Sequence, residues 1–447
     1  MNQTLRNSIL LGLFAVFLVV GSYLIVTAQG LVFDFENFRI TKTGGIYLKF
    51  SPTDADLQLN GKSYPSERGL LNNAVFIKKL LPGKYELKIS KDGFFPWEKE
   101  VVVRGSFVAS ATKIKLWPKV FASTTVEDRI QDFWITNKGP IYKDYNGNLY
   151  FKNQLLRGES VILSDASANF IVTADKQVFF LIDLQNPKAS TNLNELFHSL
   201  KQQQLGLPGN VPIENFFIHP FNQGKIIFAT KSSLYSLDFK KITLERLYTA
   251  KSIRAGITNN NEVLFTDDQG NFIVYNLVLK NSDVLSLNLP PIQKIKSNPS
   301  GNKILILDSD NNLLFYNRTQ RKLETISDSV RDFYISPDEK RIAVITLNGE
   351  IRIFYIADYE GDEKYAKNSF FKLPFLIETP LEFYWFQNQP GYSMVFAGSD
   401  LIISELDSRP PLNYYKVFED VKKYFVQKSE LDILTKSGVH RKIDLAL

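Results

Sequence analysis

Three kinds of side chain in this 447-residue sequence carry chemistry worth testing: acidic turns that resemble cation loops, scattered histidines, and one tight aromatic cluster. Asp144-Tyr145-Asn146-Gly147-Asn148, Asp267-Asp268-Gln269-Gly270-Asn271 and Asp308-Ser309-Asp310-Asn311-Asn312 each open like a calcium loop. Such a loop also needs a late carboxylate at its twelfth position, and none of the three continues that way, so they read as hairpin turns. His198, His219 and His440 lie too far apart in sequence for metal-ligand spacing. Phe94, Phe95 and Trp97 form the candidate ligand-stacking site, an aromatic platform able to lie on a sugar ring. The alternative is that Phe95 and Trp97 close a core.

Pairs such as Asp267-Asp268 offer acid–base chemistry only if two carboxyl groups face each other across a cleft, which spacing alone does not establish. There is no nucleophile elbow, P-loop or dinucleotide fingerprint. With no cysteine in the chain, thiolate nucleophiles, iron–sulfur clusters and disulfides are excluded together. No catalytic residue, metal ligand or cofactor is assigned, and the protein is expected not to be an enzyme. The 53 basic and 47 acidic residues leave a net charge of +6 without any long single-sign block, so no nucleic-acid partner is expected.

The elements that must hold these side chains are mostly strands. Thirty-five Phe and 20 Tyr accompany abundant Ile, Val and Leu, a composition that favours sheet. The exception is the N-terminus, where no charge occurs between Arg6 and Asp34 and Ile9 to Val26 is apolar apart from Ser22 and Tyr23. As helix this stretch is about 27 Å long, near the roughly 30 Å of a hydrocarbon core. A transmembrane signal anchor is therefore expected at residues 8–28, with residues 1–7 cytoplasmic and the bulk of the chain outside a cell membrane it crosses once.

After a linker at 29–44, residues 45–118 alternate with period two in short runs, and Asn60-Gly61, Pro82-Gly83 and Asp92-Gly93 supply turns between them. The series GGIYLKFSPTDADLQLNGK followed by LPGKYELKISKDGFFPWEKEVVV resembles a PEGA domain. The match lies at Ser51-Pro52, Ala55, Asn60-Gly61-Lys62, Leu81-Pro82-Gly83, Tyr85, Gly93-Phe94 and Pro96-Trp97. The signature tetrapeptide departs from the pattern, with Pro52-Thr53-Asp54-Ala55 where the family has Pro-Glu-Gly-Ala. The resemblance implies a small prealbumin-like, carbohydrate-binding-like β-sandwich of the kind found on surface proteins, and that label describes fold rather than ligand.

Residues 119–447 repeat. Pro220, Asn259, Pro299 and Pro337 mark equivalent turns 39, 40 and 38 residues apart, each preceded by a strand and followed by two more. A period near 40 suits propeller blades, whose fourth strand is the most variable. Weaker copies bring the count to eight blades, or seven if the first two units share one. Ser336-Pro337-Asp338-Glu339-Lys340-Arg341-Ile342-Ala343 resembles the turn of TolB-type, WD40-like propellers. Residues 192–204, with Leu193, Leu196, Phe197 and Leu200 at helical spacing, read as an insertion on one rim.

The fold class expected is thus all-β with one N-terminal transmembrane helix, a PEGA-like sandwich and a β-propeller. The function expected is a membrane-anchored binding or scaffold protein of the cell surface, presenting both modules to an envelope protein or glycan. Two alternatives stay open: an extracellular glycan-active hydrolase or lyase with its site at the propeller mouth, favoured by two or more acidic residues there, and a structural component of an envelope assembly.

Overall fold

The computed structural model describes residues 3–34, 38–65, 74–164, 169–259, 261–267, 270–285, 289–376, 381–427 and 429–445. Glu36, Asp268 and Gln269 lie outside the described residues. Helix α1 spans Gln3–Ala28. The expected membrane span and the single-pass location are corrected by it: among the described residues no helix is long and apolar enough to cross a membrane.

Two sheets then pack face to face. One has the order Lys62–Tyr64, Asp56–Leu59, Gly83–Ser90, Trp97–Val103, and the other Val75–Leu80, Gly44–Ser51, Val108–Lys115. Between them lie Ile46, Leu48, Phe50, Leu57, Ile77, Leu87, Ile89, Trp97 and Val101. Asn60 and Gly61 both take positive φ, 49° and 73°, which a two-residue hairpin demands of a right-twisted strand pair. On the strand Trp97–Val103 the alternation turns Trp97, Lys99, Val101 and Val103 inward. A lysine thus occupies a core-facing position between a tryptophan and a valine.

The rest of the chain is a closed ring of four-stranded antiparallel sheets, eight among the described residues. Blades one to eight begin with the strands Ile130–Thr136, Ser160–Leu163, Ile213–Ile218, Ile253–Asn259, Ile292–Ser297, Val330–Ile335, Leu381–Trp385 and Val421–Gln427. These first strands touch across neighbouring blades, as Ile253–Asn259 does Ile292–Ser297, so they form the inner wall. The second strands, such as Lys303–Asp308, Arg341–Thr346 and Tyr392–Ala397, are buried at nearly every position. Each has a neighbouring blade on both faces, which explains their unbroken apolar runs in place of period-two alternation.

Blade eight takes three strands from the C-terminal part and its fourth, Ser123–Glu127, from the segment just after the sandwich, paired with His440–Asp444. Ring closure is reinforced by His440, which joins Asp432 (2.8 Å) on its own blade to the Tyr142 hydroxyl (2.9 Å) on blade one and stacks on Phe133.

Helix α2, Leu193–Leu205, is capped by Asn192, whose side chain accepts the N–H groups of Asn194 and Glu195, and ends at Gly206 with φ 64°. It is more than a rim decoration. Phe197 is fully buried against Phe228 and Tyr235, so the helix fills the wedge between blades two and three.

At the first turn of blade six the Ser336 hydroxyl accepts the Arg341 N–H and donates to the Arg341 carbonyl. Glu339 takes a left-handed φ of 55°. Its carboxylate accepts a hydrogen bond from the buried Asn298 amide at 2.7 Å, which offsets the left-handed backbone and ties blades five and six together.

His219 is buried beside Phe221 at the first turn of blade three, and burial together with the Lys225 charge pulls its imidazole down to about 4. The unfolded chain takes up that proton first, near 6.5, so the stability held by the neutral ring is present above about pH 6.5 and is lost as pH falls towards 4. Melting temperatures measured from pH 7 downward should fall less steeply in His219→Gln than in the natural protein, and parallel profiles would show that His219 does not set acid lability.

Candidate functional site

The aromatic platform expected at Phe94, Phe95 and Trp97 is not assembled as one surface. Trp97 is fully buried in the sandwich core, which corrects its reading as a ligand-stacking residue. Phe95 is half-buried and stacks on Tyr415 at 5.1 Å, joining the core of blades seven and eight rather than that of the sandwich. Phe94 is half-buried, with the Lys91 ammonium 5.4 Å from its ring centre.

What these residues build is a joint between sandwich and ring. The Trp97 indole N–H donates to Glu405 Oε1 at 2.7 Å, and Lys99 Nζ donates to Glu405 Oε2 at 2.6 Å. The Asp407, Arg409 and Pro411 carbonyls also surround the Lys99 ammonium, and the Asn413 amide donates to Glu405 Oε2 and to the Glu98 carbonyl. Burial pushes the Glu405 carboxyl up, while the Lys99 charge pulls it back. A second contact comes from the insertion in blade six, where Asp362 accepts the N–H and hydroxyl of Thr112 at 2.7 and 2.8 Å.

The other chemically capable groups lie on the inner wall. Seven of the first strands carry a β-bulge at their start, and between blades five and six and between blades eight and one the residues after it face each other. That position is held by Lys294, Asp332, Lys423 and Asp132 on blades five, six, eight and one, and Glu382 precedes the corresponding Phe383-Tyr384 on blade seven, whose first strand pairs without a bulge. Lys294 Nζ lies 2.8 Å from each oxygen of Asp332, and Lys423 Nζ lies 2.8 Å from Asp132 Oδ1. Asp132 and Asp332 also each accept the N–H of the phenylalanine that follows, Phe133 or Phe333.

Two residues further along these strands stand aromatic rings, two of them faced by a lysine: Lys423 lies 4.4 Å from the Trp134 ring centre and Lys296 lies 3.9 Å from that of Tyr334. Burial pulls the Lys296 amine down to about 8, opposed by the Asp332 charge. Burial alone would raise Asp332, yet the Lys294 hydrogen bond and the Lys296 charge hold its carboxyl below the usual range. A cavity of about 460 Å³ opens on this wall, lined from blades four to seven by residues including Thr258, Lys296, Ser297, Tyr334 and Tyr384.

The acidic turns are self-capped. Asp144 Oδ1 accepts the N–H groups of Asn146 and Asn148 while Oδ2 accepts the Asn148 amide, and Asp308 does the same with Asp310 and Asn312. Asp267 repeats the last two contacts with Asn271.

The family model for the NUP159/214 beta propeller matches residues 225–441. This part of the chain is a β-propeller. A search of curated proteins finds no match. Among solved structures, Hsv2 of Kluyveromyces lactis aligns at 12% identity over 65% of this chain and 100% of its own, with a TM-score of 0.43. Hsv2 of Kluyveromyces marxianus aligns at 11% identity over 65% and 100%, also at 0.43. The computationally designed protein Ika8 aligns at 12% identity over 73% and 99%, at 0.44. The propeller assignment rests on the family model and on the closed ring of sheets.

Composition gave no pointer to Lys99 or to the charged inner ring, but local pattern does. In the run WEKEVVV the alternation that buries Trp97 and Val101 buries Lys99 with them, and the repeated Asp-Phe-aromatic triplets at Asp132 and Asp332 mark equivalent wall positions.

Removing one partner of a buried pair strands the other charge, so Lys99→Met or Glu405→Leu alone should each cost about 3 to 5 kcal/mol in denaturant unfolding. The double substitution should recover much of that loss. Additive losses in the double variant would show that the two groups do not act as a pair.

Proposed function

We propose that the protein is a non-enzymatic interaction scaffold whose β-propeller engages a protein partner at its inner wall, with the PEGA-like sandwich carried as a fixed second module. The observation that supports this most is the construction of that wall. Opposite charges pair across two blade boundaries, Lys294 with Asp332 and Lys423 with Asp132, aromatic rings back them, and an open cavity lies over residues that a partner loop can reach. Loops and strand ends converging on a propeller channel form a rigid binding face that needs no rearrangement to engage.

A glycan partner draws less support, because the aromatic platform it called for is divided between two cores. The hydrolase or lyase reading draws on three wall carboxylates, Asp132, Asp332 and Glu382. Two of these are neutralised by lysines at 2.8 Å, whereas acid–base hydrolysis needs one carboxyl protonated and the other free. Binding is therefore the reading adopted.

A photo-crosslinking residue placed at Tyr384, on the cavity wall, should capture a discrete protein in extracts of the source cells. The same residue at the exposed outer-strand position Lys322 should not. Capture from Lys322 alone would move the interface to the propeller's flank and defeat the channel assignment.

A further inference from the structure

We infer that the cavity on the inner wall is a carboxylate-binding site, suited to an acidic side chain on a partner's loop and anchored by Lys296. This rests on the interaction reading above and names the chemistry of the partner at that site.

An ammonium group has three N–H donors. Lys296 Nζ makes one hydrogen bond of normal length, 2.7 Å to the Phe333 carbonyl. The nearest carboxylate, Asp332, is 3.8 Å away and is already engaged. Both its oxygens accept from Lys294, and it also accepts the Phe333 N–H and the Tyr334 hydroxyl. Lys296 is thus held in the cavity wall with donor capacity beyond its Phe333 hydrogen bond and its long ion pair with Asp332.

The adjoining Ser297 lines the same cavity, and its buried hydroxyl has no hydrogen-bond partner among the described residues. A carboxylate lying between Lys296 and Ser297 would use one oxygen for each. Burial lowers the Lys296 amine despite the opposing pull of Asp332 and Glu382, as expected of an ammonium short of solvation.

The charged and titratable groups facing Lys296 are Asp332, Lys294, Tyr334 and Glu382. Glu382, on blade seven, opposes an incoming anion, and its charge adds to burial in raising the Tyr424 hydroxyl. The blade-four side of the cavity, Ile257, Thr258 and Asn259, carries no charge. The carboxylate is accordingly placed on the side of blades four and five, next to Ser297 and away from Glu382. A volume of about 460 Å³ has room for one acidic side chain and its flanking backbone.

The test uses the full chain with its lysines carrying ¹³C-methyl groups, and Lys296→Met to assign the Lys296 resonance. The probe peptides are Ac-Gly-Glu-Gly-NH2 and Ac-Gly-Gln-Gly-NH2, with inorganic phosphate as a third ligand. The glutamate peptide should shift the Lys296 resonance saturably and raise its titration midpoint, and the glutamine peptide should bind about tenfold more weakly or worse. Glu382→Gln should tighten the glutamate peptide.

Equal affinity for the two peptides, or no saturable shift, overturns the inference, and that comparison needs no variant to fold. Phosphate binding as tightly as the glutamate peptide overturns the assignment to a partner's acidic loop. Retention of the Tyr384 crosslink with failure of the peptide would sink the carboxylate chemistry alone, and loss of both would sink the channel interface.

Discussion

Lys99 and Glu405 meet with their side chains 0% and 6% exposed, and a charge pair taken that far from water is stable only if every remaining donor and acceptor is met. Here they are. One carboxylate oxygen takes the Trp97 indole, the other takes Lys99 and Asn413, and three backbone carbonyls complete the ammonium's surroundings. Apolar packing alone tolerates sliding, whereas hydrogen bonds to buried charges do not. The pair therefore sets how the sandwich sits on blades six to eight, and the Thr112–Asp362 contact from the blade-six insertion acts in the same sense.

That joint is continuous with ring closure. Trp117, at the end of the sandwich, is fully buried and stacks on Phe386 of blade seven, and six residues later Ser123–Glu127 begins as the outer strand of blade eight. The segment that leaves the sandwich is the one that closes the propeller. Once the ring is closed, the first strands are fixed side by side, and the paired charges Lys294–Asp332 and Lys423–Asp132 can face each other across blade boundaries. The inner wall is a consequence of closure, with cation–aromatic contacts holding its side chains in place.

Much of the architecture was legible because it is local. The Asn60-Gly61 hairpin, the recurring first-turn markers and the buried second strands are each written in a few adjacent residues. The joint was not, since it unites positions 97 and 99 with 405 and 413, and no local spacing announces a contact over some three hundred residues. For the same reason Phe94, Phe95 and Trp97 read as one platform when the fold shares them between two cores. The wall charges were missed differently: the triplets at Asp132 and Asp332 mark equivalent positions, but nothing local shows that the ring places Lys423 and Lys294 beside them. At the N-terminus, apolarity alone suggested a membrane span, whereas among the described residues no helix is long and apolar enough to make one.

The account turns on the sandwich and propeller behaving as one body through the Lys99–Glu405 joint. The most direct measurement is native-state hydrogen exchange at the Trp97 indole N–H and the Glu100 amide, which donates to the Pro410 carbonyl across the joint at 2.6 Å. Both protons should exchange only through the opening that also exposes the propeller's buried second strands, with the same denaturant dependence. Exchange of these two through a separate, denaturant-insensitive opening, while the propeller stays protected, would contradict the account.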